Sequence, residues 1–142
     1  MIGYVVDASV AVKWLVTEPF SDEAIRLLDA DLSLVAPELL FAEAANALWA
    51  LCLRGEINKS DFADAIDVLK TAPVAVPASM RQLTPSASRL AIDLGHPVYD
   101  CFYLALAMQE RYPVVTADRR FHDAVRAHPY LGDQIIHVQD LT

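Results

Sequence analysis

Short β-branched runs alternate with longer helix-patterned stretches along nearly the whole chain, and that alternation leaves few folds open. "GYVV" (Gly3–Val6), "LSLVAP" ending at Pro37, "VAVP" (Val74–Pro77), "VVTAD" and "QIIHV" read as short buried strands. A helix is expected from Ala8 to Val16, stopped by Pro19, and another in "SDEAIRLLDA" with Ser21 as N-cap. A long helix spans Glu38 to Leu53, closed by Arg54 and Gly55. "KSDFADAIDVLKTA" carries Phe62, Ile66 and Leu69 at helical spacing behind a Ser60 cap. "TPSASRLAIDLG" reads as a helix capped by Thr84, with Pro85 in its first turn and Gly95 past its end. "VYDCFYLALAMQER" and "RRFHDAVRAH" complete the set. Strands separated by helices imply parallel βαβ units with right-handed crossovers, covered on both faces. The expected fold is α/β, a three-layer arrangement with a twisted, mainly parallel central sheet between helices, in one domain over residues 1–142.

Bulk properties narrow the function. The chain is 55% hydrophobic with a mean hydropathy of +0.30, which disfavours disorder. No apolar run reaches the roughly 18 residues of a membrane span, and "MIGYVVDASV" lacks the basic start of a signal peptide. Cys52 and Cys101 form no metal-binding spacing and are expected reduced and buried, in a cytoplasmic protein. A net charge of −8 argues against a general nucleic-acid coat protein. It leaves room for a nuclease with a local basic rim, or for a protein that meets a basic partner.

The long helix contains a contradiction. "FAEAANALWALCL" is almost wholly apolar, yet it holds Glu43 and Asn46 on one face. A buried, unpaired carboxylate is costly, so Glu43 needs a partner, solvent or a cation. Three more acids sit where a site would form. Asp7 follows the first strand and Asp118 follows "VVTA", both at strand carboxyl ends, where open parallel sheets bind ligands. Asp100 lies in the second strongly apolar helix. Strand ends about 4.8 Å apart bring such acids into one pocket. Clustered carboxylates repel, a divalent cation relieves the repulsion, and all-oxygen ligation favours Mg2+ or Mn2+ over zinc.

Each acid also has a plain structural alternative. Asp7, Asp100 and Asp118 could cap helices, and Glu43 could pair with Arg54 or Arg89. Ser9 could hold a metal-bound water or cap the first helix. Asn46 could orient Glu43 or a water, or serve helix packing. Thr116 could bring its hydroxyl beside Asp118. Lys13, Arg119 and Arg120 could contact phosphates or lie on a solvated face. His96, His122, His128 and His137 have no mutual ligand spacing and are assigned no chemistry.

"YVVDASVAVKWL", "ELLFAEAANAL", "VYDCFYLALA" and "VVTADRRF" together resemble the signature segments of PIN-domain proteins, most of all the VapC toxins of bacterial and archaeal toxin–antitoxin pairs. The resemblance covers nearly the whole chain in the family's order and spacing. It implies a PIN-like fold and a Mg2+- or Mn2+-dependent endoribonuclease leaving a 5′-phosphate and a 3′-hydroxyl. It carries the acidic quartet onto Asp7, Glu43, Asp100 and Asp118, the helical amide onto Asn46 and the hydroxyl after the first acid onto Ser9. Ala117 departs from the polar residue many relatives hold between the Thr and the last Asp. The resemblance further implies a homodimer bound to a cognate VapB-like antitoxin.

The expected chemistry is phosphodiester hydrolysis by water activated on one or two ions, with no histidine or lysine base. A phospho-acceptor domain would want adjacent acids after an early strand and a late lysine, and no lysine follows Lys70. A phosphatase built on Asp-x-Asp fails because residue 9 is Ser. A non-catalytic acidic pocket that binds an arginine-bearing partner stands as the alternative.

Overall fold

The computed structural model describes residues 2–141. Its sheet joins β1 (Gly3–Val6), β2 (Ser33–Val35), β3 (Val114–Thr116) and β4 (Ile135–His137) in the order β2-β1-β3-β4, with every pairing parallel. The helices are α1 (Ala8–Leu15), α2 (Ser21–Ile25), α3 (Leu39–Leu53), α4 (Lys59–Leu69), α5 (Met80–Leu94), α6 (Val98–Glu110) and α7 (Arg119–Arg126). The expected α/β architecture with a parallel sheet between helices is what the chain forms.

The strands are buried on both faces, which suits their largely β-branched, continuous apolar composition. Val5, Val6, Val114 and Val115 are all fully buried. Against them pack Val10 and Ala11 of α1, Leu40, Ala44 and Leu48 of α3, and a nearly continuous buried run from Cys101 to Ala107 in α6. In α3 the buried residues recur every four positions, which turns the neighbouring ridges outward. Gly3 admits the Tyr112 ring onto the start of β1, since a Cβ there would stand 2.5 Å from it.

The order of the strands fixes where a site can form. From β1 the chain crosses to β2 on one side, and the later strands β3 and β4 lie on the other. The gap between β1 and β3 is therefore the topological switch point, where ligands bind at the carboxyl ends of the strands. Asp7 follows β1 there, and Asp118 lies two residues past β3.

Several local expectations need correction. Val74–Pro77 is not a strand. It makes a single parallel bridge, Val35 to Ala75, with the Ala75 N–H to the Leu34 carbonyl and the Ala36 N–H to the Ala75 carbonyl. Pro73 and Pro77 on either side lack the N–H groups that would extend it. Helix α5 starts before Thr84: Ser79 is its N-cap, closing a capping box with Gln82. Pro85 then lies inside the helix, and Thr84 instead bonds the Met80 carbonyl. Asn58 rather than Ser60 caps α4, accepting from the Asp61 N–H. Ser21 falls within α2, where its hydroxyl accepts from the Glu18 N–H. Cys101 is buried and Cys52 only half-buried, and both are free thiols.

Candidate active site

Asp7 sits at the N-cap position of α1, but its side chain makes no capping bond. It is only 4% exposed, and two hydroxyls hold one of its oxygens. Ser9 donates to Asp7 Oδ2 at 2.5 Å, and Thr116 Oγ1 donates to the same oxygen at 2.8 Å. The two hydroxyls also fix the end of β3. Ser9 accepts from the Ala117 N–H at 2.9 Å, and Thr116 Oγ1 accepts from the Asp118 N–H at 3.0 Å. Ser9 and Thr116 thus tie the ends of β1 and β3 together and orient Asp7.

Burial pushes the Asp7 carboxyl up from 3.8 to about 7, the two hydroxyls pull against it, and the charges of Asp100 and Glu43 push further. Glu43 is half-buried and also raised, first by desolvation and then, against the Tyr103 hydrogen bond, by the charge of Asp100. Asp100 is raised by burial and by Asp118, against a hydrogen bond and attraction from His96. Each of these three acids therefore feels another of the four. No Lys or Arg lies within ion-pairing distance of any of the four; the one cation-capable partner among the described residues is His96, at Asp100.

The plain alternatives now separate. Asp118 does cap α7, its Oδ1 accepting from the Arg120 and Phe121 N–H groups. Asp100 is no cap, because Pro97 holds that position. Glu43 pairs with neither Arg54, whose partner is Glu56, nor Arg89, which bonds Ser86. Asn46 is exposed and shares with Glu43, Leu39, Ala42, Ala47 and Tyr99 an open cleft of about 330 Å³. Lys13 is nearly buried, with its ammonium 3.4 Å from Glu18, so it is turned to that carboxylate rather than offered to a phosphate. Arg119 and Arg120 are exposed at the start of α7, beside Asp118.

Two residues at this site carried no signal of their own at the level of motifs. Tyr103 is fully buried in α6 and donates its hydroxyl to Glu43 Oε1 at 2.7 Å. Its position is readable in retrospect, since a buried tyrosine needs an acceptor. His96 places Nε2 2.6 Å from Asp100 Oδ2, and the two are four residues apart. The side chains of the other histidines have partners elsewhere: His137 Nδ1 accepts from the Gln139 N–H, His128 from the Tyr130 N–H, and His122 pairs with Asp123.

Among the described residues, no three His, Cys, Asp or Glu side chains surround a single position ready to hold an ion. The donor chemistry nonetheless fits a hard divalent cation. It is a set of carboxylate oxygens, mutually repelling, partly desolvated and without a protein cation to neutralise Asp7 or Glu43.

The PIN domain model matches residues 4–127. Ribonuclease VapC3 of Pyrobaculum aerophilum is 31% identical over 117 residues, 82% of this chain and 89% of that protein. A crystal structure of a Pyrobaculum aerophilum protein superposes with a TM-score of 0.71 at 25% identity, covering 99% of this chain and 93% of that one. A toxin–antitoxin complex from Klebsiella pneumoniae matches with a TM-score of 0.63 at 10% identity, over 95% of this chain and 97% of that one. With the acids of its signature segments at the sheet's switch point, the chain belongs to the PIN-domain family, in its VapC branch.

Proposed function

We propose that this chain is the ribonuclease toxin of a VapBC-type toxin–antitoxin pair, a Mg2+- or Mn2+-dependent endoribonuclease. The observation that carries the proposal is that Asp7, Glu43 and Asp100 are each raised by burial and by the charge of a neighbouring acid, with no lysine or arginine paired to them among the described residues. The similarity to a VapC ribonuclease supports the same reading. Asp7, Glu43, Asp100 and Asp118 would hold the cation. When bound, a divalent ion supplies Lewis-acid stabilisation of phosphoryl charge and makes water more acidic.

The chain's own groups do the positioning. Ser9 and Thr116 donate to Asp7 Oδ2, so its remaining oxygen is the one left for a ligand. Tyr103 fixes Glu43 in the same way through Oε1. The apolar packing beneath Asp7 keeps the local dielectric low and strengthens each of these interactions. Arg119 and Arg120 give the acidic chain a local basic rim, suited to RNA phosphates.

The partner in this proposal is a VapB-like antitoxin, with a homodimer as the working assembly. A groove of about 470 Å³ supports the antitoxin. Trp14, Leu15, Ile57, Ala65 and Val68 supply apolar wall, and Glu56, Asp61 and Asp64 supply negative charge. Such a groove suits a segment with apolar anchors and basic flanks.

The deciding experiment incubates purified protein with total RNA in Mg2+, Mn2+ or EDTA and sequences the new 5′ ends. Defined new ends with metal, absent with EDTA and absent for Asp7→Asn, are the expected result. Cleavage that persists in EDTA, or full activity in Asp7→Asn, would remove the metal role. An absence of cleavage with tight binding of an arginine-rich partner would favour the non-catalytic acidic module.

A further inference from the structure

His96 is built into the fold as carefully as the acids are. It lies in the three-residue turn between α5 and α6, where the backbone is fixed from both sides. Gly95 ends α5 in the left-handed conformation (φ 62°), and the Gly95 and His96 N–H groups both close onto the Ala91 carbonyl. Pro97 then fixes the next φ at −53° and begins α6. The imidazole emerges only 10% exposed. One face of the ring stacks on Phe121, with centroids 5.3 Å apart and planes 19° from parallel. Phe121 is itself fully buried, and its N–H donates to Asp118 Oδ1.

A physical chain therefore runs from Asp118 through Phe121 and the His96 ring to Asp100. We propose that His96 is a positioning residue: its Nε2–H clamps Asp100 Oδ2 and so orients the carboxylate whose other oxygen would serve a divalent cation. Asp100 Oδ1 takes no hydrogen bond from the described residues, so it is the oxygen left for a ligand. The stack on Phe121 sets the ring plane, and with it the direction of the N–H. Orientation of a ligating carboxylate by a hydrogen-bonded neighbour is a general way to raise metal affinity. This inference rests on the reading of Asp100 as a metal ligand.

The test compares the full-length protein with His96→Phe, His96→Gln and Asp100→Asn. Mg2+ binding is measured by calorimetry, and RNA cleavage is followed as a function of Mg2+. His96→Phe keeps an aromatic ring to stack and loses the donor, whereas His96→Gln keeps an N–H at similar reach. The expected result is a loss of roughly 10–100-fold in Mg2+ affinity for His96→Phe. The RNA KM should be unchanged at saturating Mg2+, cleavage should be restored by raised Mg2+, and His96→Gln should recover part of the affinity.

Should the phenylalanine variant not fold, the wild-type protein labelled with 15N-histidine gives a second readout. The His96 Nε2 resonance should move in step with Mg2+ saturation, and a resonance that ignores saturating Mg2+ overturns the inference. Wild-type Mg2+ affinity in His96→Phe alongside weak binding in Asp100→Asn also overturns it, leaving His96 a packing residue while Asp100 remains a ligand. Equal binding by wild type and Asp100→Asn removes the ligand role of Asp100, and the inference with it.

Discussion

Replacing Asp7 by Asn should make the metal-free protein more stable, and increasingly so as pH rises. The carboxyl is buried and raised from 3.8 to about 7. At about 1.4 kcal/mol per pH unit, ionising it in the folded chain costs about 4 kcal/mol more than in the unfolded chain. The direction follows from the rise. The folded protein holds this proton more tightly, so the stabilisation is complete below about pH 4 and is lost as pH climbs through about 7. Between pH 5 and pH 8.5 the wild type should therefore lose about 3 kcal/mol that the variant keeps. Asparagine still offers an oxygen to Ser9 and Thr116, so the comparison isolates the charge. Urea unfolding in EDTA at the two pH values measures the gap. Added Mg2+ at pH 8.5 should restore most of the loss in wild type and little in Asp7→Asn. Parallel pH profiles for the two proteins would refute the reasoning, because Asp7 would then not be paying for its charge.

Other outcomes follow from the same structure. Asp100→Asn should abolish metal-dependent RNA cleavage with an unchanged circular dichroism spectrum. Asp118→Asn should be the mildest loss of the four acids in the same assay, since asparagine also caps α7 well. Pro85→Ala should stabilise the protein by about 2 kcal/mol, seen as a higher Tm, because it restores an N–H within α5 and removes a ring from the helix interior. An arginine of the proposed antitoxin should reach Asp7, Glu43 or Asp100 and compete with the metal. Its replacement by alanine should weaken the complex or release nuclease activity, and no change in either affinity or inhibition would dismiss the inserted arginine.

The strand-end acids were legible from position alone, an Asp at or just past the carboxyl end of a β-branched run. Glu43 stood out because a carboxylate in an apolar helix needs a partner, and it has one in Tyr103. What pattern alone missed was the second partner in each hydrogen bond. Tyr103 looked like core and is core, yet its hydroxyl is spent on Glu43 across sixty residues of sequence. His96 has no spacing to another histidine, and its partner is the acid four residues on. Pro85 looked like the first turn of a helix, as proline often is. The stronger signal lay upstream, in Ser79 and Gln82, whose capping box starts the helix earlier. Ala75 meets Leu34 and Ala36 but the prolines around it stop a ladder, so a strand-like composition gave only a bridge.

The strand order also has a consequence for synthesis. β1 is made before its neighbour β3, which is encoded more than a hundred residues later, and the Thr116–Asp7 bond spans 109 positions. Contacts this distant in sequence form late. A nascent chain that already carries Asp7 and Glu43 still lacks Asp118, the Thr116 hydroxyl and the sheet edge that sets them. The nuclease proposed here would therefore be inert until that later segment had been made. It would acquire the means to cut RNA only once β3 and Asp118 had emerged, when an antitoxin made alongside it could already be waiting.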